Sequence, residues 1–322
     1  MNERLHLFEL TTAIRSFFGN QGFYDVLTPP LVENPGMETH IHPFQVNSIV
    51  NPKKASLYLH TSPEFYMKEL LSQGLEKIFT MSYCFRDEPA SPLHRSQFIM
   101  LEWYRTNSFY TQIMQDCIEL TQFCHAYLKN KKIPLRYTDL SQINFEKRTV
   151  QEIFKEILNI DILNFLEVND LKELIQKNFK QVPLPLSDKN MLWEDYYFLL
   201  FLNLIEPHFV KYPFLLLYEF PAPLCALSTL KKEDPRVCER FEIYMQGIEL
   251  CNAYNELTDA NEQKKRFNQQ AIDKKMLYGY DLPEPKVLYQ ALEKGLPACS
   301  GIAMGVERLL LSLSLKSNAF FD

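Results

Sequence analysis

The segment FTMSYCFRDEPASPLHRSQFIMLEWYR, Phe79 to Arg105, reads as two strands joined by a polar loop. In its first half Phe79, Met81, Tyr83 and Phe85 alternate with Thr80, Ser82, Cys84 and Arg86, the period of two that marks a half-buried strand. In its second half Phe98, Met100, Glu102 and Tyr104 face one way, and Ile99, Leu101, Trp103 and Arg105 the other. Glu102 thus stands in an apolar run, where an unpaired charge is too costly to bury. The pattern predicts a pocket floored by two strands, taking an anion at Arg86 and a cation at Glu102. A surface hairpin with chance charges is the plainer alternative.

Upstream, Leu7, Leu10, Ile14, Phe17 and Phe18 recur at helical spacing, and Gly19 and Gly22 offer stops. GFYDVLTPPLVEN suggests a short strand ended by Pro29-Pro30, and Leu57–His60 another. A helix is expected from Ser62, with Phe65, Leu70 and Leu71 on its apolar side. Downstream, Ile113, Cys117, Leu120, Cys124 and Leu128 mark an amphipathic helix that Pro134 ends. Residues Lys147 to Lys180 read as helical with a solvated polar face, Val182–Asn190 as a loop and Trp193–Phe209 as a helical run. Strand character returns at Phe214–Tyr218 and Phe241–Tyr244 and continues through GIELCNAYNEL, and SGIAMGVERLLLSL passes from strand to helix.

The 322 residues are 46% hydrophobic and 23% charged, ordinary globular usage, and suffice for one elaborated domain. A formal charge of −6 argues against a broad basic surface for nucleic acid. Cys84, Cys117, Cys124, Cys225, Cys238, Cys251 and Cys299 show no CxxC or zinc spacing and read as buried thiols of a reducing compartment. With neither a signal-peptide pattern nor a membrane-length apolar run, a cytoplasmic protein is expected.

GIAMG lacks the lysine and Ser/Thr of a P-loop, and no Rossmann fingerprint is present. Within GIELCNAYNELTDA, Glu249 and Glu256 supply hard oxygen ligands suited to Mg²⁺, although a turn rimmed by charges fits the same residues. Arg308 follows Gly301 and Gly305 at a helix start, where an anion is favoured; a structural arginine there is the alternative. Together Arg86, Arg308 and the glutamates make a coherent polyphosphate site. His94, in the hairpin loop, is a candidate phosphate contact, whereas His40, His42 and His60 lack a partner pattern. No Ser-His-Asp arrangement surrounds Ser62, so the expected chemistry rests on positioning and electrostatics.

These residues resemble the class II aminoacyl-tRNA synthetase core, an α+β fold with an antiparallel β-sheet flanked by helices. VLTPPL resembles its first motif, CFRDE and FIMLEWY its second, and GIAMGVER its third. TSPEFYMK, EDPRVCERFE, GIELCNAYNELTDA and LPACSGIAMGVERL bring the chain closest to the stand-alone lysyl-tRNA synthetase paralogues that attach (R)-β-lysine to translation elongation factor P. The resemblance implies one catalytic domain over 1–322 with a mostly helical insertion around 140–210. It also implies a homodimer, with ATP as co-substrate, Mg²⁺ as cofactor, and elongation factor P and (R)-β-lysine or lysine as partners. Reaching its first motif by Pro29, the chain leaves no place before it for the OB anticodon-binding domain of a full lysyl enzyme, so stable tRNA binding is not expected. A tRNA-charging lysine enzyme and a non-catalytic nucleotide-binding paralogue are the alternatives.

By the same resemblance Arg86 and Arg308 are catalytic. Asp87, Glu88, His94, Arg95, Phe98, Glu249, Leu250, Asn252 and Gly305 join them around ATP, with Phe98 and Arg308 sandwiching the adenine. Ser62, Pro63, Glu64, Glu102, Tyr104, Glu256 and Ala303 are implied at the amino acid, and Glu249 and Glu256 at the metal. Ala303 stands where the lysyl enzymes have glycine. Asp87 replaces the branch's usual asparagine, and Arg95 stands where an ATP-contacting asparagine is expected.

Overall fold

The computed structural model describes residues 3–315 apart from 52, 54 and 186–189. The opening hairpin forms as two antiparallel strands, Lys77–Phe85 and Gln97–Thr106, with Thr80 opposite Glu102 and Ile78 opposite Tyr104. The strand Cys299–Gly305 pairs antiparallel with the free side of Gln97–Thr106, which sets Ala303 opposite Glu102 and Gly301 opposite Tyr104. Tyr24–Asp25 adds a parallel edge, so this sheet is mixed where an antiparallel one was expected.

Side chains of the strand Gln97–Thr106 divide as its period dictates. On one face Phe18 of the first helix, Glu3–Asn20, stacks on Phe79 at 4.7 Å and lies 5.2 Å from Trp103. Asp116 of the helix Tyr110–Asn130 closes that face: it accepts from the Trp103 indole at 3.3 Å and from both arms of Arg105 at 2.7 and 2.9 Å. Arg105 is therefore structural. The helix Glu64–Ser72 touches the same strand, and Glu102 and Tyr104 are buried. Strict half-burial fails in Lys77–Phe85, where Phe79 and Thr80 are both buried and Tyr83 is 41% exposed.

The contacts divide the chain into two compact units, residues 1–141 with 256–322, and residues 142–255. In the second unit the strand Val237–Met245 pairs antiparallel with both Phe214–Pro221 and Ile248–Asn255, and Phe145–Thr149 lies parallel to Phe214–Pro221. The expected helix from Lys147 thus begins as a strand. Thr149 then caps the helix Val150–Leu158 through a reciprocal pair with Glu152, and Asn159 ends it in the left-handed conformation at φ 56°. Trp193–Leu200 is α-helical, but the run changes pitch from Phe201 onward and tightens past Pro207. Part of the expected Val182–Asn190 loop lies outside the described residues.

A bulge between Glu249 and Cys251 governs the second unit's chemistry. The extra residue, Leu250, resets the alternation. Glu249 faces Tyr244, and Asn252 and Tyr254 face Glu242 and Arg240, so that all six share one face of the sheet.

Candidate active site

In the first unit, TSPE turns into the helix Glu64–Ser72, with Pro63 buried at the residue before its first turn. Helical spacing stacks Lys68 over Glu64, and Lys68 donates to Glu64 at 2.6 Å. Its ammonium also lies 2.6 Å from Glu256, with side-chain exposures of 1% for both partners. Tyr104 donates to Glu102 at 2.8 Å, while the other Glu102 oxygen has no hydrogen-bond partner among the described residues. Burial raises the Glu102 carboxyl well above the ordinary glutamate range, with Glu64 and Glu256 adding like charge. Burial likewise lifts Glu256 to about 8, against the pull of Lys68.

Gly301 admits this packing. A Cβ there would meet the Tyr104 ring at 2.0 Å and Glu256 at 2.7 Å. At Gly305 a Cβ would find only ordinary contact with Arg308. Ser62 lines a small cavity with Asn34, Gly36, His60 and Tyr66.

Arg86 sits over the Phe98 ring, 5.3 Å from its centroid, and its buried Nε finds no partner among the described residues. Desolvating a donor without a partner is costly, and an incoming anion would remove that cost. Arg308 points at the hairpin loop, with Nε 3.4 Å from the Leu93 carbonyl and Nη2 3.1 Å from the His94 ring. Arg95 is turned onto the loop's own backbone, donating to the Ser91 and His94 carbonyls. Asp87 is exposed, its N–H bound to the His42 carbonyl at 2.8 Å, and Glu88 is half-buried. Beneath them Glu307 accepts from the Ile99 N–H at 2.9 and 3.1 Å, and burial raises its carboxyl to about 7.

In the second unit Glu242 accepts from Arg240 at 2.7 Å and from the Tyr244 hydroxyl at 2.6 Å. Arg240 also donates to Asn252 at 3.0 Å. Burial lifts the Glu242 carboxyl to about 7; Arg240 opposes this and the like charge of Glu249 adds to it. Glu256, the metal partner expected for Glu249, is instead committed to Lys68.

The family model for class II tRNA synthetases (D, K and N) matches residues 2–318. The chain belongs to that family. Its curated relatives include elongation factor P–(R)-β-lysine ligases. The one from Proteus mirabilis is 33% identical, over 94% of this chain and 88% of the relative. The one from Pasteurella multocida is 33% identical over 98% and 91%, and that from Salmonella paratyphi A 35% identical over 97% and 91%. The α+β class II core and a ligase that uses ATP follow from this membership. Among the described residues no helix is long and apolar enough to cross a membrane.

Sequence reasoning missed Lys68, Arg240, Glu242, Tyr244 and Glu307. Two signals were available: the four-residue step from Glu64 to Lys68, and the alternation of Arg240, Glu242 and Tyr244 along one strand face.

Proposed function

We propose that the protein activates (R)-β-lysine with ATP and transfers it to the ε-amine of a lysine on elongation factor P. The observation that carries this reading is the buried acidic pocket of Glu64, Glu102 and Glu256, with a Glu102 oxygen left without a hydrogen-bond partner. It sits in a chain that resembles ligases of that activity over nearly its whole length. Ammonium groups of the substrate satisfy the carboxylates, and a charged site discriminates strongly against an analogue lacking the amine. Ala303, directly opposite Glu102, puts a methyl group beside that amine.

The amino-acid carboxylate attacks the α-phosphorus of ATP, the bond to the β-phosphate oxygen breaks, and pyrophosphate leaves. The orphaned Nε of Arg86 supports its assignment to the α-phosphate, where added negative charge is stabilised by a fixed cation. Glu88, Phe98 and Arg308 hold the nucleotide. The acceptor amine then attacks the activated carbonyl, forming an amide and releasing AMP. Mg²⁺, when bound, would offset phosphate charge.

Homodimerisation belongs to the same reading, supported by apolar exposure around the first motif: Phe8 51%, Tyr24 65% and Leu27 93%. Sedimentation of a monomer at micromolar concentration would count against it.

The deciding experiment is intact-mass measurement of elongation factor P after incubation with enzyme, ATP, Mg²⁺ and (R)-β-lysine. One added residue on one lysine is expected, and Arg86→Ala should abolish it together with pyrophosphate exchange. Efficient charging of tRNA with unmodified elongation factor P would overturn the acceptor assignment.

A further inference from the structure

Lys68 has a feature the reaction does not explain. It occupies a buried position on a helix whose neighbouring buried residues, Phe65, Met67 and Leu71, are apolar, and its side chain is 1% exposed. A methionine would fit such a place without the cost of desolvating an ammonium. The ionisable groups around it are Glu64 from its own helix, Glu256 from the segment after the strand Ile248–Asn255, Glu102 from the strand Gln97–Thr106 and Cys299 from the strand Cys299–Gly305. Beyond them Glu38 acts on Glu64, and Lys274 is within reach of Glu38.

Lys68 bridges two of the three carboxyl groups, Glu64 and Glu256, and leaves the unbonded Glu102 oxygen for a ligand. A lysine or β-lysine brings two ammonium groups. We propose that Lys68 is a specificity-determining positioning residue, which bridges Glu64 and Glu256 and so fixes the carboxyl groups that meet the second ammonium of a diamino acid. The inference rests on the proposed assignment of this pocket to the amino acid. Burial already raises the Glu64, Glu102 and Glu256 carboxyls against the pull of Lys68, and its loss would raise them further. Protonation would then remove the very charge that selects the second amine.

The test compares, by calorimetry, binding of lysine with that of norleucine and binding of (R)-β-lysine with that of 3-aminohexanoic acid, each the same chain without the terminal amine. In Lys68→Met the preference for the diamino acid should fall at least tenfold, while KM for ATP in pyrophosphate exchange stays within twofold. Equal weakening of both amino acids, or of ATP as well, would make Lys68 merely structural and overturn the proposal.

Lys68→Met/Glu64→Gln removes both partners of one ion pair, so one carboxyl fewer is left without its cation. It should melt above the single variant and regain part of the diamino preference, even if Lys68→Met fails to fold. A double variant that is no more stable and no more selective than the single one would also overturn the proposal. A wild-type enzyme that binds neither diamino acid would instead sink the pocket assignment itself, a result separable from any failure of Lys68.

Discussion

Two strands of this protein carry the same local unit, a buried glutamate followed two residues later by a tyrosine that donates to it. In Glu102–Tyr104 the bond is 2.8 Å and in Glu242–Tyr244 it is 2.6 Å. Their surroundings differ. Glu242 has a cation on its own strand, since Arg240 lies two residues back on the same face and donates at 2.7 Å. Glu102 has none on its strand: Arg105 faces away and is bound to Asp116, while the nearby Lys68 is held by Glu64 and Glu256. One glutamate is closed within the fold and the other is left to be completed by a ligand. A Glu-x-Tyr unit is therefore structural or substrate-seeking according to whether the next turn of the strand supplies its cation.

The contrast can be broken most forcefully at Arg240. Arg240→Met leaves Glu242 buried without its cation, and removing one partner of a buried pair costs about 3–5 kcal/mol. Chemical denaturation should show that loss, and a change under 1 kcal/mol would mean that Glu242 is not closed by Arg240 at all. Next in size is Glu102→Gln, which removes a charged partner worth on the order of 2 kcal/mol. It should raise KM for the diamino acid about thirtyfold, given tenfold per ~1.4 kcal/mol, and leave stability nearly unchanged. Glu242→Gln should instead lower stability, by loss of its pair with Arg240, and leave KM for the diamino acid unchanged. Identical phenotypes for the two glutamine variants would erase the distinction.

A smaller effect is expected at Ala303, whose position opposite Glu102 supports a role beside the substrate amine. Ala303→Gly deletes one methyl, and such changes shift discrimination by only ~1–3 kcal/mol. A partial move toward α-lysine in competition assays is expected, and an unchanged ratio would remove Ala303 from specificity.

A pH-dependent effect is expected at Glu307, a buried carboxyl like the other two but satisfied by the Ile99 N–H. Its carboxyl is raised from 4.5 to about 7 by burial, so the folded state holds a proton that the unfolded state loses first. Its contribution to stability is complete below about pH 4.5 and is lost as pH rises to about 7. Melting temperatures of wild type should fall across that window more steeply than those of Glu307→Gln; parallel curves would contradict the shift.

The hairpin was legible from alternation because a strand's period is local, and Glu102 stood out because carboxylates are rare in apolar runs. Arg86 and Arg308 could be singled out from motif spacing, and family membership followed from several motifs in order along the chain. Other features resisted reading for physical reasons. The bulge at Leu250 changes which face Asn252 and Tyr254 occupy, and nothing in GIELCNAYNEL announces an extra residue in the ladder. Phe145–Thr149 has the composition of a helix start but pairs with Phe214–Pro221, since a neighbouring strand outweighs weak local propensity.

By itself, then, the sequence determined the residue types of the site, the strands that carry them and the kind of ligand they suit, because side-chain chemistry and local period are written residue by residue. Tertiary structure alone decided which charges meet. Lys68 reaches Glu256 across nearly two hundred residues of chain, and Gly301 is needed because Tyr104 and Glu256 crowd its Cα. Ion pairing and steric exclusion depend on distances of a few ångströms between segments remote in sequence. Only the folded chain sets those distances, and with them whether a buried glutamate is already satisfied or still lacks its cation.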